Sequence, residues 1–262
     1  MARVSLEVTD HIARLRLTRP DKRNAVDQEM IDAVLAAAAE IAASDARVVV
    51  ISGEGPDFCA GIDLMSLSGL VGSDPEALIL PRTHGDGTTN QWQEFALAWR
   101  RLEIPVIAAL HGNVFGAGLQ LALGADIRIA APETRLAVME MKWGIVPDMG
   151  GMVLLPRLVR ADVFRRLTYT ADPVPAAQAE RWGLVTEIAE DPLDTAMELA
   201  RGMALKGPNA IRAAKRLIEV AENAPEREVL LAESREQAAL IGRPEQMEVV
   251  AAQFAKRPPK FA

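Results

Sequence analysis

The chain has 262 residues, half of them hydrophobic and a quarter charged, enough to bury a full core in one large domain or one domain with a short appendage. Its 29 basic and 36 acidic side chains give a net charge of −7, which argues against nonspecific binding to nucleic acid or an anionic membrane as the main task. A single cysteine, Cys59, excludes an internal disulfide framework; with no signal-like apolar opening and no uncharged apolar run of about 18 residues, a cytoplasmic protein is expected.

In chain order, Ser5–Thr9 and the alternating Leu15, Leu17 run predict two strands joined by a turn at Thr9-Asp10-His11. Asp27 is placed to cap a helix reaching about Ala43, in which Met30, Val34, Ala37 and Ile41 recur at helical spacing. A strand at 47–52 completes a strand-strand-helix-strand unit. Residues 69–90, rich in Gly, Ser, Asp, Pro, His and Thr, read as a surface loop or mobile cover. Helix 91–103, strand 105–110, helix 117–123 and strand 125–130 resume the alternation, and a Gly-Gly break precedes a helix from about Gly151. After Ile188 the pattern is helical throughout, over 192–205, 208–222, 225–241 and 244–256, each with a proline near its first turn. An α/β core over 1–191 and a helical region over 192–262 are therefore expected. The apolar residues of that region, among them Ile211, Leu217, Val229, Leu230 and Leu231, need a core of their own or a neighbouring subunit.

The most informative segment is 105–124, where a buried-type strand breaks at Gly112 and restarts as a helix through Gly116 and Gly118. Glycines at such a junction let backbone N–H groups approach a ligand, and the helix start adds the positive end of a dipole. A second tight turn, Phe58-Cys59-Ala60-Gly61-Ile62-Asp63, follows the apolar run Val48–Ile51. Two such turns can supply two donors to one anionic oxygen. No metal-ligand spacing, His-Glu-x-x-His, Gly-x-Ser-x-Gly or Walker sequence occurs. Gly116-Ala-Gly118 departs from a dinucleotide fingerprint because Leu121 stands where the third small residue belongs.

Several segments in order resemble the crotonase (enoyl-CoA hydratase/isomerase) family over about residues 3–260. They are Arg19-Pro20-Asp21-Lys22-Arg23-Asn24-Ala25, Phe58–Asp63, His111–Gly118, Glu140–Gly151, Trp182-Gly183-Leu184-Val185, and Gly207-Pro208-Asn209-Ala210 with Ala214-Lys215. The resemblance implies an α/β fold, a spiral of β-β-α turns with a C-terminal helical trimerisation region. It implies an acyl-CoA substrate, with coenzyme A as part of the thioester and no tightly bound cofactor, and a homotrimer or dimer of trimers. By motif position the N–H groups of Ile62 and Ala117 form the oxyanion hole, and Lys22, Arg23, Ala25, Ala60, Ile62 and Gly116 lie along the CoA path. The lysine often found three residues after the Ile62 position is Met65 here.

Family hydratases pair two glutamates; the second matches Glu140, whereas the first falls on Gln120. An amide does not exchange protons at neutral pH, so Gln120 is left with orienting water or Glu140. Double-bond isomerisation needs a single base, which Glu140 can supply, and enoyl- or dienoyl-CoA isomerisation is therefore expected ahead of hydration. A CoA-binding protein without catalysis is the further alternative. Asp148, eight residues on, matches an acid of family dienoyl-CoA isomerases and can equally cap the helix that follows. His84, Trp92, Phe95, Trp99 and Trp143 are candidates for the acyl pocket, with the helical spacing of Trp92, Phe95 and Trp99 favouring core packing. Cys59 reads as a small buried residue.

Overall fold

The computed structural model describes residues 2–69 and 74–261. Strands β1 (Val4–Thr9) and β2 (Ile12–Leu17) form an antiparallel hairpin whose turn residues Asp10 and His11 both have positive φ. Helix α1 (Gln28–Ala42) starts where the Asp27 carboxylate accepts the Met30 N–H at 2.9 Å, a cap worth about 1 kcal/mol. Strand β3 (Val48–Gly53) returns parallel to β2. Short helices α2 (Leu64–Gly69) and α3 (Pro75–Ile79) follow, in and before the stretch expected as loop. The start of α3 has local causes: Asp74 caps the Glu76 and Ala77 N–H groups and Pro75 supplies a preset φ.

Helix α4 (Gln91–Arg101) opens on a capping box between Asn90 and Gln93. Strand β4 (Val106–Leu110), strand β5 (Asn113–Phe115), helix α5 (Ala117–Leu123), strand β6 (Ile127–Ala130) and strand β7 (Arg135–Ala137) come next. They lead to α6 (Gly151–Leu158), α7 (Ala161–Thr170), β8 (Val174–Pro175), α8 (Ala176–Trp182) and β9 (Glu187–Ile188). Helices α9 (Pro192–Ala204), α10 (Pro208–Asn223), α11 (Glu226–Leu240) and α12 (Pro244–Phe254) end the chain, close to the expected spans.

The main sheet has the order β1-β2-β3-β4-β6-β9 and is parallel beyond the hairpin; β5, β7 and β8 form a second, three-stranded sheet. Both faces of the sheet are covered at β3 and β4, which explains why these two strands read as unbroken apolar runs. Val49, Ile51, Ala108 and Leu110 face the larger core with Met30, Val34, Phe95 and Trp99, while Val48, Val50, Ile107 and Ala109 face the other way. That second face is closed by α9, whose Ala196, Ala200 and Ala204 recur every four residues and let the helix lie close to the strands. Helices α10 and α11 pack on each other, and no residue of α11 is buried.

Candidate functional site

The carboxyl ends of the neighbouring parallel strands β3 and β4 release the two glycine turns side by side, the place where open α/β sheets offer a crevice. The turns are zipped together: the Phe58 N–H donates to His111 O at 2.9 Å, the Cys59 N–H to Asn113 O at 3.1 Å, and the Phe115 N–H to Cys59 O at 3.0 Å. Gly61 at φ +103° and Gly116 at φ +50° bend the chain through conformations that a side chain resists. A Cβ on Gly118 would lie 2.5 Å from Cys59 Cβ, so this glycine serves close packing of α5 against the 59 turn. Cys59 is buried, its thiol pushed up to about 12 by burial, and its Sγ donates to Asn24 O at 3.0 Å.

A cavity of about 890 Å³ opens between the turns and the 139–149 segment. Ile62, Ala117, Glu140 and Asp148 all line it, as do Lys22, Ala25, Ala60 and Gly116. Ala117 opens α5, where an N–H has no acceptor within the helix, and its nitrogen lies 3.9 Å from the point a Gly61 Cβ would occupy. The same construction at Gly116 falls 3.5 Å from Glu140 Oε1. Both backbone turns and the glutamate therefore meet at one end of the cavity. Leu78, Ile79, Trp92, Trp143, Ile145 and Val146 give much of the remaining wall an apolar character.

Glu140 begins a 3-10 turn over Glu140–Trp143 and is only 7% exposed. Its Oε1 accepts a hydrogen bond from Gln120 Nε2 at 2.6 Å, while Oε2 is buried without a hydrogen-bond partner among the described residues. Burial raises the Glu140 pKa above the usual carboxylate range, the negative charge of Asp148 adds to the rise, and the Gln120 amide with the local backbone dipoles opposes it. Gln120 is 2% exposed and forms no part of the cavity wall. Its Oε1 accepts the N–H groups of both Met149 and Gly151 at 2.9 Å, so the amide is fixed in orientation with its nitrogen toward Glu140.

Asp148 stands on the open side of the cavity wall, yet the surrounding protein withdraws enough water to raise its carboxyl pKa. It does not cap α6: the N-cap position is Gly150, with no side-chain hydrogen bond. Arg23 does not reach the cavity; its exposed guanidinium lies 3.6 Å from Asp57. Lys22 lines the cavity and makes no ion pair among the described residues. Met65 lines it too. Of the aromatic candidates, Trp92 and Trp143 line the cavity, Phe95 and Trp99 are fully buried in the core, and His84 lies off the wall.

Two residues beyond the expected set are prominent. Arg19 lies on the wall and bonds to Asp63 at 2.7 Å. Asn24 is buried at φ +54° and donates to Glu54 O, Asp57 O and Phe58 O. An arginine next to a proline and an asparagine after two cations carry no local pattern that announces such long-range partners.

The sequence model of the enoyl-CoA hydratase/isomerase family matches residues 7–262. The chain is 37% identical over 214 residues to a protein of Mycobacterium tuberculosis named probable enoyl-CoA hydratase EchA14, covering 81% of this chain and 79% of that protein. It is 32% identical to the mitochondrial Delta(3,5)-Delta(2,4)-dienoyl-CoA isomerase of Homo sapiens, over 80% of this chain and 67% of that one. A crystal structure of enoyl-CoA hydratase from Mycobacterium tuberculosis H37Rv superposes with a TM-score of 0.87 at 27% identity, covering all of this chain and 99% of that one. With its paired glycine turns at the ends of adjacent strands and a fold shared along its whole length, the chain belongs to the crotonase, or enoyl-CoA hydratase/isomerase, family of enzymes.

Proposed function

We propose that the protein moves a carbon–carbon double bond of an enoyl-CoA thioester, with Glu140 as the single proton carrier. The thioester carbonyl lies against the Ile62 and Ala117 N–H groups. The Glu140 carboxylate takes a proton from the α- or γ-carbon, the electron pair flows into the carbonyl oxygen, and the two amides stabilise the enolate. The resulting carboxyl returns the proton to the other carbon, so the double bond moves with no net gain or loss of atoms. Backbone amides suit this task because they are oriented before charge develops.

The observation that carries this reading is the immobilised Gln120 amide. Both ends of the amide are engaged, the nitrogen by Glu140 and the oxygen by the Met149 and Gly151 N–H groups. Hydration needs a second group to activate water and handle the α-proton, and a buried amide off the cavity wall supplies neither a proton nor a site for that water. Asp148, on the same cavity with a raised pKa, is the candidate second acid if the substrate is a conjugated dienoyl thioester. Lys22 with the backbone of Ala25, Ala60 and Gly116 supports a path for the CoA moiety. We further propose a homotrimer or dimer of trimers, with apolar side chains such as Leu230 and Leu231 of α11, roughly half exposed in the single chain, covered by a neighbouring subunit.

Purified protein mixed separately with a 3-enoyl-CoA and a 2-enoyl-CoA distinguishes the readings by the absorbance of the conjugated thioester. Gain of conjugation from the first, with little loss from the second, is expected. Loss from the second at a comparable rate overturns the isomerase reading in favour of hydration, and silence with retained CoA-thioester binding overturns both.

The pH profile follows from the same geometry. Glu140 acts as base only when ionised, and its raised pKa places the acid limb of kcat/KM above the ordinary carboxylate range. Ionised Asp148 contributes to that rise, so Asp148→Asn moves the limb to lower pH. A limb that stays in place or moves upward contradicts the electrostatic coupling of the two carboxylates.

A further inference from the structure

The direction of the Ile62 N–H is set by its neighbours. The Val26 N–H donates to Gly61 O at 2.8 Å and the Asp63 N–H donates to Val26 O at 2.8 Å, forming a single parallel bridge between Val26 and Ile62. In extended backbone successive N–H groups point to opposite sides, so the N–H of Ile62 faces away from Val26. The side chain of Arg19 spans this bridge. Its Nη1 donates to Ala25 O at 2.9 Å and to Asp63 Oδ2 at 2.7 Å, one residue before Val26 and one residue after Ile62.

Arg19 is itself held. Its backbone N–H donates to Asn24 Oδ1 at 2.9 Å, and the Asn24 amide ties that segment to the 54–58 turn. The Arg19 and Asp63 side chains are 14% and 13% exposed, so solvent screens their pairing only in part. Burial alone would push the Asp63 carboxyl up, but the Arg19 bond and the Met65 N–H hold it below the usual range. Around Arg19 and Arg3 lie three carboxylates, Asp27, Asp63 and Glu29. That excess of negative charge makes the cluster a poor phosphate site, although Arg19 borders the cavity.

We infer that Arg19 is a positioning residue for the oxyanion hole, fixing the direction of the Ile62 N–H by tying Ala25, next to Val26, to Asp63, next to Ile62, across the bridge. It touches neither the carbonyl nor the proton in flight. The inference rests on the proposed role of Ile62 as a donor. A hydrogen bond weakens steeply as its angle closes, so a modest rotation of this one peptide reduces carbonyl polarisation while leaving the cavity able to bind thioester.

The test is the 13C chemical shift of butyryl-CoA labelled at the thioester carbonyl, free and bound to the full-length protein, with its Kd and with kcat on a 3-enoyl-CoA. The wild type is expected to move the bound carbonyl downfield. Arg19→Met should lose more than about half of that shift and about tenfold or more in kcat, with Kd held within about threefold. Arg19→Lys keeps one charged donor toward Asp63 and should recover part of both. Unchanged shift and kcat in Arg19→Met overturn the positioning role while leaving the hole intact; if that variant does not fold, an unchanged shift and kcat in Asp63→Ala overturn it equally. A wild type with no bound shift overturns the oxyanion reading itself.

Discussion

Glu140→Gln is expected to lower kcat for double-bond migration by at least about a hundredfold, the scale on which general acid–base groups act. The substitution is close to isosteric, and the Gln120 amide can still meet the new side chain. CoA-thioester affinity should therefore change little. Among the described residues Oε1 accepts from Gln120 and Oε2 has no hydrogen-bond partner. Replacing Oε2 or Oε1 by an amide nitrogen removes the base in either orientation.

The same substitution carries a stability signature. A carboxyl whose pKa is higher folded than unfolded binds its proton more tightly in the native state, so its ionised form disfavours folding above the unfolded pKa. A neutral amide removes that cost. Glu140→Gln should thus melt at least as high as the parent near neutral pH, which separates loss of the base from loss of the fold. A variant with unchanged kcat refutes Glu140 as the base.

Ala117→Pro is expected to cost about 10²- to 10³-fold in kcat, because it deletes one of the two proposed oxyanion donors. Position 117 is the first residue of α5, where proline is tolerated and its missing N–H leaves no helical acceptor unpaired. The preceding Gly116, at φ +50° and ψ −118°, lies outside the helical region that a following proline disfavours. The helix should therefore survive while the donor is lost. The Ile62 N–H remains, so residual activity is expected. Measurement of kcat beside the far-ultraviolet circular dichroism of the variant checks this; a native spectrum with kcat within about threefold of the parent removes Ala117 from the mechanism.

Much of this architecture is legible in the chain because its causes are local. The apolar runs within 47–52 and 105–110 read as buried strands, Asp27 marks the start of α1, and the glycines at 61 and 116 mark turns. The twenty-residue spacing of Gln120 and Glu140 becomes meaningful through the family resemblance, and the structure brings the two side chains to 2.6 Å. What escapes the sequence is long-range. The bonds of the Gln120 oxygen to the Met149 and Gly151 amides depend on how a distant loop returns over α5. Lys22 and Arg23 look alike as adjacent cations, yet the left-handed backbone at Arg23 leaves it off the cavity, with its guanidinium toward Asp57. Asp148 had a reasonable capping geometry by position, but Gly150 takes the N-cap place and leaves the carboxylate on the cavity wall.

The convergence of two peptide N–H groups on one carbonyl oxygen is tested most directly by a crystal structure of the protein with a saturated acyl-CoA. The account predicts the thioester oxygen within about 3.2 Å of both the Ile62 and Ala117 nitrogens, with the neighbouring carbon facing Glu140. A bound thioester whose carbonyl points away from both amides would contradict it.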